Sequence, residues 1–155
     1  MKRLLLATTA AAACLTALPA AAQFQKPEDA IKYRQSVFTV MGNHFARIGA
    51  MAQGRVPFDA AAAARDAALV NTLSTLPFTA FAAGTDKGMP NRARAEVWSK
   101  QADFEAKARD MQAAVARLDE AAKAGTLDAL RAAAGNVGGT CKACHDDFRA
   151  ERYSN

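Results

Sequence analysis

The sequence predicts an all-α fold, an antiparallel bundle of four helices. Two observations support this prediction. Each long segment places its apolar residues at helical spacing, and the links between segments are mostly short and contain Gly or Pro. The chain is rich in Ala and poor in the alternating β-branched runs that are typical of strands, so we expect no strands.

The first helix is predicted to begin near Lys26 and to end near Gly54. Pro27 suits the first helical position, and the acidic residues that follow it complement the helix dipole. At 100° per residue one stripe of this helix faces the core. The stripe contains Ile31, Arg34, Phe38, Met41, Phe45, Ile48 and Ala52.

The second helix is predicted to begin at Asp59, a good N-cap residue, and to run to about Ala83. Pro77 should kink its last turns because proline donates no backbone hydrogen bond. We expect three leucines to form its core face. They are Leu69, Leu73 and Leu76.

The third helix is predicted from about Trp98 or Ser99 to Gly125, and Thr126 then caps the fourth. Both carry a narrow apolar stripe. The third stripe contains Phe104, Ala108, Met111, Val115, Leu118 and Ala122. The fourth contains Leu127, Leu130, Ala134, Val137, Cys141, Cys144, His145 and Phe148.

The N-terminus, residues 1–22, has the layout of a secretory signal peptide, with a basic start, an apolar run and the ending Ala20-Ala21-Ala22. We therefore expect a periplasmic protein that forms one domain over residues 23–155, without membrane insertion after cleavage. Removing Lys2 and Arg3 leaves 18 basic and 15 acidic residues, a net charge near +3. No basic cluster with interleaved aromatics occurs, so nucleic acid is not an expected partner.

The motif "CKACH" carries the chemistry of the chain. A zinc site would need four ligands, and a thioredoxin-like redox pair would need a βαβ setting. C-x-x-C-H is instead the motif of covalent c-type haem attachment. Cys141 and Cys144 lie about one helical turn apart, as addition to two vinyl groups requires, and His145 lies beside them to bind iron. We expect one haem c per chain.

Any sixth iron ligand must come from upstream, because only ten residues follow His145. Met41, on the first stripe, is a candidate, whereas His44 lies about 60° off that stripe and is expected on the flank of the helix. Arg34 is unusual in an apolar stripe, since a buried guanidinium needs an anionic partner. It either pairs with a haem propionate or extends from the stripe edge to solvent.

Four segments extend the argument to the whole mature chain: "QFQKPEDAIKYRQS", "LPFTAFAAGTDKG", "EVWS" and "GGTCKACHDDFR". With these segments at these places, residues 23–155 resemble cytochrome c′, the class II c-type cytochromes. Members of that family are usually homodimers through their first two helices. They commonly bind nitric oxide and carbon monoxide, and they lack a firm enzymatic assignment.

The resemblance implies five-coordinate haem iron with His145 as its single protein ligand. Phe38 would close the opposite, distal face, with Phe78 and Phe81 helping to line the pocket. Arg34 would reach a propionate, and Arg149 would lie beside the proximal imidazole. Many family members have an aliphatic residue in place of Phe38, so a bulkier ring here is expected to hinder diatomic ligands.

Two functions follow from these expectations. The first is a high-spin haem protein that captures nitric oxide, and the second is a low-spin electron carrier with Met41 as sixth ligand and a redox partner that the sequence does not identify. A peroxidase is not expected, because no His or Arg is well placed opposite His145 to act as a distal acid–base pair.

Overall fold

A computed structural model describes residues 23–154 of the chain. The predicted signal peptide, residues 1–22, lies outside the described residues. The elements in chain order are α1 (Pro27–Ala52), α2 (Ala60–Leu73), a 3₁₀ turn (Leu76–Ala80), β1 (Asn91–Ala93), α3 (Glu96–Ser99), α4 (Gln101–Lys123), α5 (Leu127–Phe148) and β2 (Arg149–Ser154). Within the described range, no helix has the length and apolar character needed to span a membrane.

The four long helices form the predicted bundle. Helix α1 packs on α2 and α5, and α4 packs on the same two neighbours, so the four helices close around a common core. Helix α3 is a single turn that leads into α4. The all-α, four-helix architecture predicted from the apolar stripes is therefore confirmed.

The helix ends follow the local chemistry of the sequence. The Asp59 carboxylate accepts a hydrogen bond from the Ala62 N–H at 2.9 Å, and the Thr126 hydroxyl oxygen accepts one from the Ala129 N–H at 3.4 Å. At the other ends, Gly54 and Gly125 adopt φ values of 70° and 72°, in the left-handed region that glycine tolerates best. Both N-caps and both glycine stops were predicted.

Most of the apolar stripes lie in the core as expected. All six stripe residues of α4 are buried, and so are Ile31, Arg34, Met41, Ile48 and Ala52 of α1. The buried residues form two clusters, a large one between the four helices and a smaller one at one end of the bundle. The smaller cluster consists of Val97, Phe104 and Phe148, with Phe78, Phe81, Trp98 and Cys144 packed against it.

Helix α2 departs from the prediction in its length. It ends at Leu73 and not near Ala83. The Ser74 hydroxyl donates to the Asn71 carbonyl at 2.8 Å and so competes with the hydrogen bonds of the helix backbone. Pro77 follows and has no N–H with which to continue a helix. The chain then forms the 3₁₀ turn, which carries Phe78.

The predicted core face of α2 was wrong at two of its three leucines. Leu73 packs against the large core cluster as expected. Leu69 is 44% exposed and Leu76 is 36% exposed, whereas Ala63, Ala67 and Val70 are buried. Small side chains let α2 approach its neighbours closely, so the core side of this helix carries alanines. The leucines at positions 69 and 76 are left at the surface of the described chain.

The expectation of no strands was wrong, because the chain forms two short ones. Strand β1 pairs with β2 in antiparallel fashion, with Ala93 opposite Arg149, and Arg92 Nε donates to the Ala150 carbonyl at 2.7 Å. A strand of three residues is too short to show an alternating pattern in the sequence. The pairing ties the end of α5 to the long loop between the two halves of the bundle.

His44 lies at the flank between α1 and α2, as its offset from the stripe predicted. Its Nδ1 is 2.8 Å from Asp66 Oδ1, and Arg47 donates to both carboxylate oxygens of Asp66 at 2.9 and 2.7 Å. The Asp66 side chain is 9% exposed. The hydrogen bonds from Arg47, together with those from His44, lower the pKa of Asp66 below its usual 3.8.

This cluster gives a prediction about stability and pH. A carboxylate with a lowered folded-state pKa stabilises the fold above its unfolded pKa, and this contribution is lost as the pH falls through the lowered value. We expect Asp66→Asn to reduce the free energy of unfolding by about 1–2 kcal/mol at pH 7. The difference from wild type should shrink below about pH 4. Denaturant titrations at several pH values measure it.

The matched control is Asp128→Asn, because the Asp128 side chain is 94% exposed although it also pairs with an arginine. An exposed pair contributes little, so this variant should differ from wild type by less than about 0.5 kcal/mol. An Asp66→Asn deficit that stays constant down to pH 2 would contradict the assignment of the stabilisation to the ionised carboxylate.

Candidate cofactor site

A cavity of about 540 Å³ lies between the bundle core and the smaller aromatic cluster. This volume is within the range of about 300–1,000 Å³ that is typical of cofactor sites. All eight residues predicted for the site line this one cavity: Arg34, Phe38, Phe78, Phe81, Cys141, Cys144, His145 and Arg149. Met41, the alternative ligand, also lines it, whereas His44 is not part of the lining.

Helix α5 presents both cysteines and the histidine to the cavity from consecutive positions of its stripe. The thiols of Cys141 and Cys144 are free. Burial raises the pKa of Cys141, and burial together with the nearby Cys141 raises the pKa of Cys144 to about 11. Reactive redox thiols have lowered pKa values, so this environment does not match a thioredoxin-like pair.

His145 lies at the mouth of the cavity, beside the first residue of β2. The Arg149 N–H donates to the His145 carbonyl, so the two residues are fixed relative to each other by the end of the helix. Partial burial lowers the pKa of His145, and the positive charges of Arg149 and Arg92 lower it further. The imidazole is therefore held in the neutral form, which is the form that binds metals.

Three phenylalanines from α1 and the 3₁₀ region form a wall of the cavity. The ring centroid of Phe38 lies 5.7 Å from that of Phe78 in an edge-to-face arrangement and 6.5 Å from that of Phe81. Phe78 and Phe81 in turn contact Phe104 at 5.7 and 4.9 Å. Such pairs stabilise one another beyond the burial of their area, so the wall is a connected aromatic network.

Arg34 is fully inside the protein, with 2% of the residue exposed, so the alternative that it extends to solvent was wrong. Its guanidinium donates to the Ala80 carbonyl at 2.9 Å, to Thr85 Oγ1 at 3.0 Å and to the Thr85 carbonyl at 2.8 Å. Burial lowers the pKa of Arg34 to about 10, against the opposing charge of Asp86, so the side chain stays cationic at neutral pH.

Several lining residues were not predicted for the site. Phe104 and Phe148 were placed on apolar stripes, but their position at the cavity end of those stripes depends on how the helices pack. Arg92 and Tyr153 reach the cavity through the β1–β2 pairing, and the sequence carried no signal for that pairing. Lys107 lies on α4 and pairs with Asp147 of α5 at 3.5 Å.

The residues present fit a covalently bound haem. Two thiols and an imidazole are available from one helix, and the walls are largely aliphatic and aromatic, as a macrocycle requires. The polar side chains of the lining include four basic ones, Arg34, Arg92, Lys107 and Arg149, and these match the negative charge of two propionates. Cys141 and Cys144 would hold the group, and His145 would bind its iron.

Comparison with known proteins places the chain among close relatives. A family profile described as Cytochrome C' matches residues 29–149. The chain is 57% identical to cytochrome c' of Rubrivivax gelatinosus over 127 residues, which cover 82% of this chain and 98% of that protein. It is 48% identical to cytochrome c' of Alcaligenes xylosoxydans xylosoxydans over 130 residues, which cover 84% of this chain and all of that protein.

Solved structures agree with this similarity. The crystal structure of cytochrome c' from Rubrivivax gelatinosus matches with a TM-score of 0.80 at 57% identity, over 82% of this chain and 99% of that one. A nitric oxide complex of a mutant of cytochrome c prime from Alcaligenes xylosoxidans matches with a TM-score of 0.79 at 47% identity, over 84% of this chain and all of that one.

Proposed function

Because the chain belongs to the cytochrome c′ family and carries covalently bound haem c, we propose that it binds nitric oxide and carbon monoxide at five-coordinate, high-spin iron. One observation carries the proposal. Phe38, Phe78 and Phe81 form a connected aromatic part of the cavity wall, and a phenyl ring has no lone pair to offer iron. The nitric oxide complex solved for a relative supports the choice of ligand.

The positions of the site residues in the cavity support the roles that we propose for them. Cys141 and Cys144 hold the haem, His145 is the single protein ligand, and Arg149 stands next to that imidazole. The bound haem supplies an iron position for small ligands and a one-electron couple. We propose that Arg34 also faces a propionate, in addition to the hydrogen bonds that it makes within the protein.

The apolar wall also determines which diatomic ligands are favoured. Bound oxygen carries partial negative charge and is stabilised by a distal hydrogen-bond donor, which phenylalanine side chains do not provide. Nitric oxide and carbon monoxide bind ferrous iron without such a donor. We therefore propose a role in nitric oxide capture or transport.

An enzymatic role is not part of the proposal. Peroxidase chemistry needs a distal acid–base pair. Within residues 23–154 the cavity contains one histidine, His145, and the guanidinium of Arg34 is engaged by Ala80 and Thr85. The protein would act in the periplasm as a single domain, residues 23–155, after removal of residues 1–22.

A homodimer through α1 and α2 is supported by exposed apolar residues on these helices and on the 3₁₀ turn that follows α2. Val40 is 46% exposed, Leu69 is 44% exposed and Leu76 is 36% exposed. A second copy of the chain would bury them. We predict a dimer by sedimentation and a shift towards monomer in Leu69→Glu. Ala116→Glu, at an exposed position of α4, is the control and should remain dimeric.

The electron-carrier function remains a second candidate because Met41 is buried and lines the cavity. A thioether from Met41 would give low-spin, six-coordinate iron. Its place on α1 is nearly one turn from Phe38, so the two side chains compete for the space in front of the iron.

An optical spectrum of the reduced protein separates the two candidates. Five-coordinate iron should give a broad high-spin Soret band without sharp α and β bands. Met41→Ala should then leave the spectrum unchanged. The electron-carrier candidate requires instead a sharp α band that is lost in Met41→Ala and retained in Met51→Ala, since Met51 is equally buried but lies outside the cavity lining.

The assignment of Phe38 to the distal face gives a further prediction. If its ring limits the space for a ligand, Phe38→Ala should raise carbon monoxide affinity about tenfold, equivalent to about 1.4 kcal/mol of relieved steric cost. Equilibrium titration of the ferrous protein measures this. Phe58→Ala removes a similar half-buried ring outside the cavity and should change the affinity less than twofold. Equal affinities in Phe38→Ala and wild type would remove Phe38 from the distal face.

A further inference from the structure

Arg34 joins helix α1 to both ends of the short segment from Ala80 to Thr85. The guanidinium donates to the first carbonyl of that segment and to both the hydroxyl and the carbonyl of its last residue, all within 2.8–3.0 Å. A buried guanidinium is costly unless its N–H groups have acceptors in the right geometry. The segment is therefore fixed in the arrangement that satisfies the arginine.

Phe81 lies inside this segment and stacks on the same guanidinium. The central carbon of the Arg34 guanidinium is 4.3 Å from the Phe81 ring centroid, a cation–π distance. Phe104 contacts the Phe81 ring at 4.9 Å, and Trp98 Nε1 donates to the Ala82 carbonyl at 3.0 Å. Phe81 is thus held by charge from α1 and by ring contacts from α4.

The position of Phe81 matters because this residue belongs to the wall that two cavities share. A second cavity of about 200 Å³ lies between the 3₁₀ region and α4, towards Gln101 and Gln112. Four residues line both cavities: Phe78, Phe81, Val97 and Phe104. The Phe81 ring is therefore part of the partition between the smaller cavity and the larger one.

We propose that Arg34 is a positioning residue that holds Phe81 as a gate between the two cavities, and that it thereby sets how fast an apolar diatomic ligand reaches the haem cavity. The inference rests on the proposed gas-binding function. It assigns to Arg34 an effect that acts through Phe81, which differs from an ion pair with a propionate. An ion pair with a propionate does not act through the Phe81 ring, whereas the gate depends on the planar fork that bonds to Ala80 and Thr85 and stacks on that ring.

The test is a double-mutant cycle on the rate of carbon monoxide association, measured by flash photolysis of the ferrous holoprotein. Arg34→Lys keeps the charge and loses the fork and the stacking. In the wild-type background we expect it to accelerate association about five- to thirtyfold. In the Phe81→Ala background, where the gate is already absent, the same substitution should change the rate less than about twofold.

Two further variants protect the test against a folding defect in Arg34→Lys. Thr85→Val removes one acceptor at almost constant volume and should accelerate association about two- to fivefold in wild type only. Arg131→Lys is the matched control, because Arg131 donates to the Ala52 carbonyl at 2.9 Å and does not line either cavity. Its association rate should equal that of wild type.

Hydrogen exchange gives a readout that does not depend on ligand binding. The Thr85 amide donates to the Ala82 carbonyl at 3.2 Å, within the segment that Arg34 holds. Exchange in residues 80–85 should accelerate in Arg34→Lys and Thr85→Val and stay unchanged in Arg131→Lys.

Equal acceleration by Arg34→Lys in the wild-type and Phe81→Ala backgrounds would overturn the gate. An Arg34→Lys protein whose association rate equals that of wild type would also overturn it. Either result leaves the gas-binding proposal intact. A wild-type protein that binds no carbon monoxide would overturn the proposed function itself and, with it, the gate.

Discussion

The early end of α2 is the constraint on which the site depends. Had the helix continued to Ala83, Phe78 and Phe81 would lie along the axis of α2. Because α2 stops at Leu73, the chain turns at Leu76–Ala80, and the carbonyls of Ala80 and Thr85 both reach a side chain from α1. Arg34 uses them, and the cavity wall is built from the turn that results.

The long helices of the bundle each contribute one part to the packed core and another part to the cavity. One end of α5 supplies Leu130, Ala134 and Val137 to a conventional helical core, and the other end supplies the cysteines and His145 to the cavity. Helices α1 and α4 are divided at the same level. The bundle therefore keeps a cofactor-sized volume open between two packed clusters, and neither cluster has to be rebuilt to admit a macrocycle.

The sequence predicted those features that depend on one helix at a time. The stripes of α1 and α4, the Asp59 cap and the spacing of Cys141 and His145 are local patterns with a local cause. Leu69 and Leu76 were wrongly predicted to face the core because leucine is the larger hydrophobe, whereas close packing selected alanines of α2 instead. The partners of Arg34 and the β1–β2 pairing depend on contacts between distant segments, so no periodicity could indicate them.

Trp98 is an intrinsic optical probe of the aromatic wall. It is the single tryptophan of the chain, and its indole N–H is bonded to Ala82 inside the segment that Arg34 holds. Its ring centroid is 6.2 Å from that of Phe81. Indole vibrations respond to the strength of that hydrogen bond, so ultraviolet resonance Raman spectra of the native protein would follow this segment in real time while a ligand passes it.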